Sequence, residues 1–414
     1  MKGETGKLPA IPAPSERRIA LRVSANAERA LRRGHPWLFA EAITQQNQAG
    51  APGDLAVIFN SQRKFLAVGL YDPTSPIRVR VLHHHTPATI GPEWFAMKIG
   101  AAAQIRAALL TNTNGYRLIH GENDGLPGLV SDRYAQSLVV KIYSPAWIPH
   151  LPMIVPILQD LLTPERIILR LGREVARQPQ FLYQLKDGSV ISGIELQGPV
   201  LFLENGITFE ADLLRGQKTG FFLDQRDNRA RVEKISKNKR VLNVFAYTGG
   251  FSLYAARGGA DEVVSLDISQ PALEAAEQNF ERNRVHPAVA ACQHKIMTGD
   301  AFELLQNMAQ AEEKFDLVII DPPSFAKNQA ESKKALAAYR QLTRLGLAIL
   351  QPGGTLVQAS CSSRVSEEEF FSAVLQTARQ AGRPLKEIER TGHALDHPVG
   401  FPEGAYLKCL FAVG

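Results

Sequence analysis

Cysteine, long apolar runs and low-complexity tracts are scarce or missing in this sequence of 414 residues. Its three cysteines, Cys292, Cys361 and Cys409, lie far apart and form no CxxC pair, so neither a disulfide framework nor a zinc site is encoded. No apolar run approaches the ~18 residues of a membrane span, and the N-terminal residues lack the apolar centre of a signal peptide. We therefore expect a protein that remains in the cytoplasm, binds no metal and has no membrane partner.

Positive charge is concentrated in the first fifth of the chain. Residues 1–82 contain 12 Lys and Arg against 6 Asp and Glu, whereas residues 83–414 contain 35 of each kind. The surplus includes a cluster of arginines that predicts a surface for phosphate groups: Arg17, Arg18, Arg22, Arg29, Arg32 and Arg33. From charge alone, a solvated basic face is an equally good interpretation. Binding to an anionic membrane is less favoured, because the segment has little apolar helical periodicity.

The hydrophobic pattern divides the chain into four parts. Residues 1–15 are rich in Pro, Gly and Lys and are expected to form a flexible tail. Residues 16–85 contain short runs typical of a small β-barrel, and residues 93–211 combine helical and strand patterns in a central α+β domain. In residues 212–414 five strand-helix units follow one another. Because parallel strands need crossover connections, this pattern predicts an α/β fold with a doubly wound parallel sheet.

Polar residues follow the predicted strands of this sheet, at the edge where ligands bind in open α/β folds. The first strand ends in the turn FAYTGGF, where Gly249 permits close approach of a ligand to the backbone. The second ends at Asp267, whose carboxylate can accept both hydroxyls of a ribose. The third ends at Asp300, which can meet an adenine edge, the fourth at Asp321 and the fifth at Cys361. These side chains are predicted to share one cleft.

A dinucleotide fold would share the glycine turn and the ribose acid. Here the turn reads AYTGG rather than GxGxxG, a second mononucleotide half is not evident, and the DPP sequence after the fourth strand has no role in hydride transfer. The pattern therefore favours S-adenosylmethionine, with its single ribose and adenine, over a nicotinamide cofactor.

Several stretches resemble the bacterial large-subunit ribosomal RNA cytosine-C5 methyltransferase family: GQKTGFFLDQRDNR (216–229), VLNVFAYTGGFSLYAARGGA (241–260), VVSLDISQPALEAAEQN (263–279), DPPSFAKN (321–328) and QASCSS (358–363). GHPWLF (34–39) is similar to the PUA domain of that family, an RNA-binding barrel, and GLPGLVSDRY (125–134) is similar to its central domain. The resemblance implies a PUA domain at 16–85, the central α+β domain at 93–211 and a class I, Rossmann-like methyltransferase domain at 212–414.

The resemblance also implies a cofactor, a partner and roles for individual residues. S-adenosylmethionine would be surrounded by Phe245, Tyr247, Thr248, Gly249, Asp267, Asp300 and Asp321. A second block would close over it: Thr219, Gly220, Phe222, Gln225 and Arg226. The partner would be large-subunit (23S) ribosomal RNA or its precursor, and the product 5-methylcytosine.

Cytosine chemistry explains why a cysteine and an aspartate are needed. Carbon 5 is a poor nucleophile, so its methylation generally requires a thiolate that adds at C6. Cys361 follows a core strand, which suits that role, although a buried structural cysteine is the alternative. Asp321 can bond N3 and the exocyclic amine of a flipped-out base, or merely cap the strand end. Cys361 and Asp321 are therefore the predicted catalytic pair.

Other interpretations stay open at this point. A guanine N-methyltransferase on the same fold would not need Cys361, and a non-catalytic RNA-binding assembly factor would not need a cofactor. His397 and Glu403 lie in a loop between the last strands, which we expect to be a surface turn. The sequence does not identify the modified nucleotide or the base that removes the C5 proton, and it leaves open whether the protein forms a homodimer.

Overall fold

The computed structural model describes residues 5–216, 218–326 and 328–414. Its backbone contacts divide the chain into two compact units. The first comprises the chain up to Gly206 together with Ala211–Leu223 and Leu395–Phe401. The second comprises Ile207–Glu210, Asp224–Ala394 and Pro402–Gly414. Among the described residues, no helix combines the length and the apolar character that a membrane crossing demands.

The N-terminal part of the first unit is a small β-sheet domain. After β1 Thr5–Lys7, which belongs to another sheet, its elements are β2 Ile19–Val23, α1 Ala25–Arg32, β3 Trp37–Phe39, β4 Ile43–Gln46, β5 Leu55–Phe59, β6 Phe65–Tyr71 and β7 Ile77–His84. Strands β2 to β7 form one sheet in the order β3-β7-β6-β5-β2-β4. Alternating side chains of β2 are buried, as expected of a strand with one face on a core, and Ile19 and Leu21 are completely buried. The predicted small β domain is confirmed.

The rest of the first unit contains a second, mixed sheet. Its elements are α2 Pro92–Ile105, β8 Gly115–His120, β9 Leu129–Tyr134, β10 Ser137–Ile142, α3 Leu151–Leu162, β11 Arg166–Leu171, α4 Arg173–Ala176, β12 Ser189–Ile194 and β13 Val200–Glu204. The sheet runs β1-β12-β11-β10-β9-β8, and within it β10 and β11 are parallel. Phe95 of α2 and Trp147 pack in its apolar core, fully buried. This is the predicted α+β architecture.

The expectation of a flexible N-terminal tail is wrong for part of the segment. Residues 1–4 lie outside the described residues, but Thr5–Lys7 form β1 and pair antiparallel with Ile194, Gly193 and Ser192 of β12. A polar, Pro-rich composition suggested an untethered chain, yet β12 offers an edge whose backbone groups need partners. The boundaries near residues 85, 93 and 211 stay predictions.

The second unit is the predicted doubly wound α/β domain. After β14 Ile207–Ala211, its elements are α5 Arg226–Lys234, β15 Arg240–Val244, α6 Gly250–Arg257, β16 Glu262–Asp267, α7 Gln270–Arg282, α8 Pro287–Ala291, β17 Gln293–Thr298, α9 Ala301–Gln310, β18 Phe315–Ile320, α10 Ser332–Ile349, β19 Leu350–Ser360, α11 Glu367–Gln380, β20 Lys386–Thr391 and β21 Lys408–Val413. The strand order is β17-β16-β15-β18-β19-β21-β20. Strands β15 to β19 are mutually parallel, and β21 is antiparallel to both neighbours, as the sequence suggested.

This strand order fixes the place of a ligand site. The chain builds outward from β15 to β16 and β17, and then crosses to β18 on the other side of β15. The carboxyl ends of β15 and β18 therefore flank a topological switch point, where a crevice forms in such sheets. The strands themselves are apolar because helices cover both faces, and Val244 and Ile320 at their ends are completely buried.

Candidate cofactor and catalytic site

The turn that follows β15 has an unusual backbone. Phe245 and Tyr247 adopt left-handed conformations with φ of 63° and 50°, and Gly249 follows at 76°. Side chains larger than glycine avoid this region, so two such residues in one short turn store strain. Strain of this kind concentrates at functional sites, and this turn lies at the switch point of the sheet.

Gly249 is required by its neighbours as well as by its backbone angle. A Cβ added here would lie 2.8 Å from Cβ of Ala276 on α7. The sequence interpretation gave this glycine only the task of admitting a ligand, and the structure adds close packing of the turn against α7.

Asp267 joins the ends of β15 and β16. Its Oδ2 accepts the backbone N–H of Tyr247 at 2.8 Å, and its Oδ1 accepts that of Ser269 at 2.9 Å. The carboxylate is half-buried, and each oxygen keeps a further lone pair for a ligand hydroxyl. Next to it, Ile268 is 73% exposed, an apolar surface that the sequence interpretation did not identify. The end of β16 therefore exposes both a carboxylate with free lone pairs and an apolar side chain.

Thr248 supplies an independent sign of a ligand. Its hydroxyl Oγ1 is buried and has no hydrogen-bond partner in the part of the chain that the structure describes, while its carbonyl accepts from Nδ2 of Asn279 at 3.0 Å. A buried hydroxyl without a partner costs free energy. Thr248 follows Tyr247, whose backbone N–H is bonded by Asp267. A buried hydroxyl without a partner at this place fits a site for a polar cofactor.

Asp300 has a structural task at its strand end. It is exposed, and its Oδ1 accepts the backbone N–H groups of Phe302 and Glu303 at 2.9 and 3.2 Å, which makes it the N-cap of α9. A capping aspartate is common at such a position irrespective of any ligand. Its predicted contact with the cofactor stays a prediction.

Asp321 is held by a chain of side-chain amides. Nε2 of Gln225 donates to Oδ1 of Asp321 at 2.9 Å, and Nδ2 of Asn228 donates to Oε1 of Gln225 at 2.6 Å. The hydroxyl of Thr391 in turn donates to Oδ1 of Asn228 at 2.6 Å. Gln225 and Arg226, both predicted to close over the cofactor, are almost completely buried in the second unit. The structure gives Gln225 the task of orienting Asp321.

The other members of the predicted closing block lie in the first unit. The hydroxyl of Thr219 donates to Asp132, and the Tyr134 hydroxyl accepts the backbone N–H of Phe221 at 3.1 Å. Gly220 has a φ of 136°, and Nζ of Lys218 lies 4.3 Å from the ring centre of Phe222. Contacts of Thr219, Gly220 and Phe222 with a cofactor stay predictions.

Cys361 lies against the DPP loop. Its Sγ is 3.9 Å from the carbonyl oxygen of Pro322, the residue after Asp321. The thiol is half-buried, and the preceding Ser360 accepts the backbone N–H of Ser362 at 3.3 Å. The strand ends of β18 and β19 thus bring Cys361 against the residue that follows Asp321.

A lysine that the sequence interpretation missed lies behind Cys361. Lys408 of β21 pairs in register with Ser360, is 4% exposed and donates through Nζ to the carbonyl oxygens of Ser362 and Val365, at 2.5 and 2.7 Å. Burial lowers the pKa of Lys408 to about 8, while Cys361, followed by Glu367 and Glu369, favours its charged form. The only available signal was a lysine inside the apolar run AYLKCLFAV.

The remaining thiols are unsuited to chemistry. Burial raises the pKa of Cys292 to about 11 and raises that of the fully buried Cys409 well above its ordinary value. Both thiols are therefore protonated at neutral pH.

Among the described residues, no group of His, Cys, Asp and Glu side chains is arranged to hold a metal ion.

The predicted basic surface is largely exposed. Arg17, Arg18, Arg29, Arg32 and Arg33 are exposed and Arg22 is half-buried. Arg32 forms an ion pair with Glu28 at 2.7 Å, which reduces its contribution to the positive field.

The surface turn expected near residue 397 is wrong in one respect. His397 is only 1% exposed, and its Nδ1 lies 3.0 Å from Oδ1 of Asp396. Glu403, in contrast, is exposed as expected.

Comparisons with known proteins agree with this architecture. A profile described as S-adenosylmethionine-dependent methyltransferase matches residues 116–412, and a PUA-like domain profile matches residues 21–84. The ribosomal RNA large subunit methyltransferase of Deinococcus radiodurans is 49% identical over 97% of this chain and 98% of its own length. The ribosomal RNA large subunit methyltransferase I of Pseudoalteromonas translucida is 38% identical over 94% of this chain and 98% of its own length.

One solved structure, a methyltransferase complexed with SAH, has a TM-score of 0.81 at 22% identity and covers 95% of this chain and 100% of that chain. It supports the fold over nearly the whole length. The sequence matches establish the family, because they extend over both units at 49% and 38% identity. The chain belongs to the S-adenosylmethionine-dependent ribosomal RNA large subunit methyltransferases, with S-adenosylmethionine as its cofactor and an N-terminal PUA-like domain.

Proposed function

We propose that this protein methylates carbon 5 of a cytosine in large-subunit (23S) ribosomal RNA. The observation that carries the proposal is the position of Cys361, whose sulfur lies 3.9 Å from the carbonyl of Pro322, directly after Asp321. A nucleophilic thiol beside an acid is the pair that cytosine C5 chemistry needs. The names of the relatives from Deinococcus radiodurans and Pseudoalteromonas translucida support ribosomal RNA as the substrate.

The cofactor contributes an electrophilic methyl group bound to a sulfonium. Its ribose hydroxyls would be accepted by Asp267, which already bonds the loops after β15 and β16. The orphaned hydroxyl of Thr248 would donate to a polar group, and the exposed Ile268 would cover an apolar face. Asp300 would keep its helix cap and offer its second oxygen.

Asp267→Ala should weaken cofactor binding by about 1–3 kcal/mol, the usual cost of removing a charged hydrogen-bond partner. The variant also loses the acceptor for Tyr247 N–H, so the strained turn loosens. Isothermal titration calorimetry with S-adenosylmethionine measures the effect. Asp261→Ala, which changes an exposed aspartate just before β16, is the matched control and should bind normally. Equal affinity of both variants would remove Asp267 from the site.

Cys361 acts as the nucleophile in this proposal. Its thiolate adds to C6 of the cytosine, and the electron pair of the C5–C6 double bond moves to C5, which then accepts the methyl group. A thiolate must first form at neutral pH. The buried ammonium of Lys408, which interacts electrostatically with Cys361, would stabilise that thiolate through the attraction of opposite charges.

Asp321 orients the base. Held by the amide of Gln225, its carboxyl faces the N3 and exocyclic amine of the cytosine and favours protonation at N3 during thiolate addition. After methyl transfer, a base removes the proton from C5, the C5–C6 double bond forms again, the thiolate leaves and N3 gives up the proton that it gained. Asp321 itself or a water molecule serves as that base.

RNA recognition falls to the N-terminal domain. Its exposed arginines offer positive charge to backbone phosphates, and most of the affinity that they supply is electrostatic. A target base inside a helix must be extruded at a cost of about a few kcal/mol, so an unpaired target in a loop is favoured.

Arg33→Gln should weaken RNA binding and reduce the slope of log affinity against log salt by about one unit, since one phosphate contact releases about one counterion. Arg33 is a better choice than Arg32, whose charge is already paired with Glu28. Fluorescence anisotropy over a salt series measures the slope. Arg379→Gln, an exposed arginine on α11, should leave the slope unchanged. An identical slope for Arg33→Gln would move the RNA site elsewhere.

The test of the proposed function is the identity of the product. Wild-type protein is incubated with unmodified bacterial large-subunit RNA and labelled S-adenosylmethionine, the RNA is digested, and the labelled nucleoside is identified by mass spectrometry. We expect 5-methylcytidine. A methylated guanosine would instead establish the guanine N-methyltransferase, and absence of labelled RNA would support a non-catalytic factor.

A further inference from the structure

Four aromatic side chains form a cluster in the first unit: His35, Trp37, Phe39 and Phe401. The ring centres of Trp37 and Phe401 are 5.2 Å apart, and those of Trp37 and Phe39 are 6.3 Å apart, both edge to face. His35 lies 5.8 Å from Trp37 and 6.4 Å from Phe401. We call this cluster the aromatic platform. Phe39 is 37% exposed, and the other three residues are half-buried, so the platform reaches solvent.

The short turn Gly121–Asp124 holds two members of the platform in place through hydrogen bonds. Oε1 of Glu122 accepts the indole N–H of Trp37 at 2.9 Å. Oδ1 of Asn123 accepts the backbone N–H of Gly400, next to Phe401, at 2.6 Å. These bonds hold rings from distant parts of the chain in fixed orientations. A preorganised aromatic surface loses little entropy when a planar group stacks on it.

Positive charge adjoins the platform directly along the chain. Helix α1 ends at Arg32, Arg33 follows, and His35 begins the platform two residues later. Arg29 and Arg33 are exposed, and the nearby acid Glu28 is engaged by Arg32. Aromatic rings combined with positive charge are a common means of binding single-stranded nucleic acid, with bases stacked on the rings and phosphates on the cations.

We propose that the aromatic platform stacks unpaired bases of the RNA whose phosphates contact the arginines around α1. The proposal rests on the proposed function for its choice of RNA as partner. It goes further by assigning to the N-terminal domain a preference for single-stranded over duplex RNA, since paired bases inside a helix offer no free face for stacking. Phe39 and Trp37 supply the stacking surfaces.

Intrinsic fluorescence tests the contact directly. Trp94 and Trp147 are buried, at 8% and 0% exposure, so quenching by an added RNA reports Trp37. The probes are an unstructured oligouridine and a blunt RNA duplex of equal phosphate number. We expect quenching by oligouridine, weaker quenching by the duplex, and loss of most of the quenching in Trp37→Phe. Equal quenching in wild type and Trp37→Phe would overturn the proposal.

Affinity tests the energetic contribution. Phe39→Leu should weaken oligouridine binding about tenfold, at the scale of one stacked base, without changing the salt slope, because stacking releases no counterions. Phe65→Leu alters an aromatic residue of the same sheet that packs against Phe59, and this variant should bind oligouridine as the wild type does.

Normal affinity of Phe39→Leu for oligouridine would overturn the aromatic platform even if the protein still methylates RNA. Failure of the wild type to bind either RNA overturns the platform and the RNA partner together, whereas binding without methylation leaves the platform intact and contradicts only the proposed function.

Discussion

Replacing Cys361 by alanine should abolish formation of 5-methylcytosine, with a loss of roughly 10⁴-fold or more in the rate of methyl transfer. The thiolate is the group that makes C5 nucleophilic, and no other thiol substitutes for it, because burial raises the pKa values of Cys292 and Cys409. The rate is measured in single turnovers with labelled cofactor and large-subunit RNA.

Three controls make this result specific. Cys292→Ala should remain active, since its half-buried thiol is not part of the proposed site. Cys361→Ala should bind S-adenosylmethionine normally by calorimetry, which shows that the cofactor site is folded. RNA with 5-fluorocytosine at the target should form a denaturation-resistant complex with wild type, because fluorine at C5 prevents the elimination that releases the thiolate, and none with Cys361→Ala. An active Cys361→Ala variant would contradict the covalent mechanism.

Lys408→Met should lower the methylation rate near neutral pH and move the rise of the pH–rate profile to higher pH. The pKa of Lys408 is about 8, so its ammonium is present below that pH and favours the Cys361 thiolate there. Above pH 8 the ammonium loses its proton and the advantage disappears. Without the charge, each unit of increase in the thiol pKa reduces the thiolate fraction at neutral pH about tenfold. The variant should therefore approach the wild-type rate at high pH.

A purely structural role for Lys408 makes a different prediction. Its Nζ bonds two carbonyls of the loop after Cys361, so its loss could merely disorder that loop. Disorder would lower the rate equally at every pH, whereas an electrostatic role shifts the profile. Lys408→Arg, which keeps the charge, should restore part of the neutral activity. Lys386→Met, an exposed lysine of neighbouring β20, should leave the profile unchanged.

The parts of the site that follow strand order could be predicted from the sequence. Parallel strands bring their carboxyl ends to one edge, so periodicity and a few terminal residues suffice to put Asp267, Asp321 and Cys361 at the same edge of the sheet. The fold class and the cofactor were predicted on the same basis and are confirmed. The exact contacts of the site residues were not predictable. Gln225, for example, bonds Asp321 although it lies just before α5, far from Asp321 in the sequence.

Long-range contacts were missed because no local pattern encodes them. Lys408 lies next to Cys361 only because the last strand inserts antiparallel beside β19. Phe401 joins Trp37 across more than 360 positions of sequence, and β1 pairs with β12 despite a composition typical of a tail. The composition of a segment indicates only whether that segment is polar. Which strand pairs with an edge strand, or which ring packs on another, depends on the completed fold.

The segment Leu395–Phe401 belongs to the first unit although it lies near the C-terminus. Within that unit, the buried guanidinium of Arg106 donates to the carbonyl of Asp396 at 2.9 Å, and the Asp396 carboxylate accepts the backbone N–H of Arg117. A fragment that ends at residue 223 would leave these groups without those acceptors and would also lack Phe401. The first unit is thus contiguous in space but not along the chain. Its folding therefore cannot be completed before residues 395–401 have been synthesised, which is after strands β15 to β19 of the second unit.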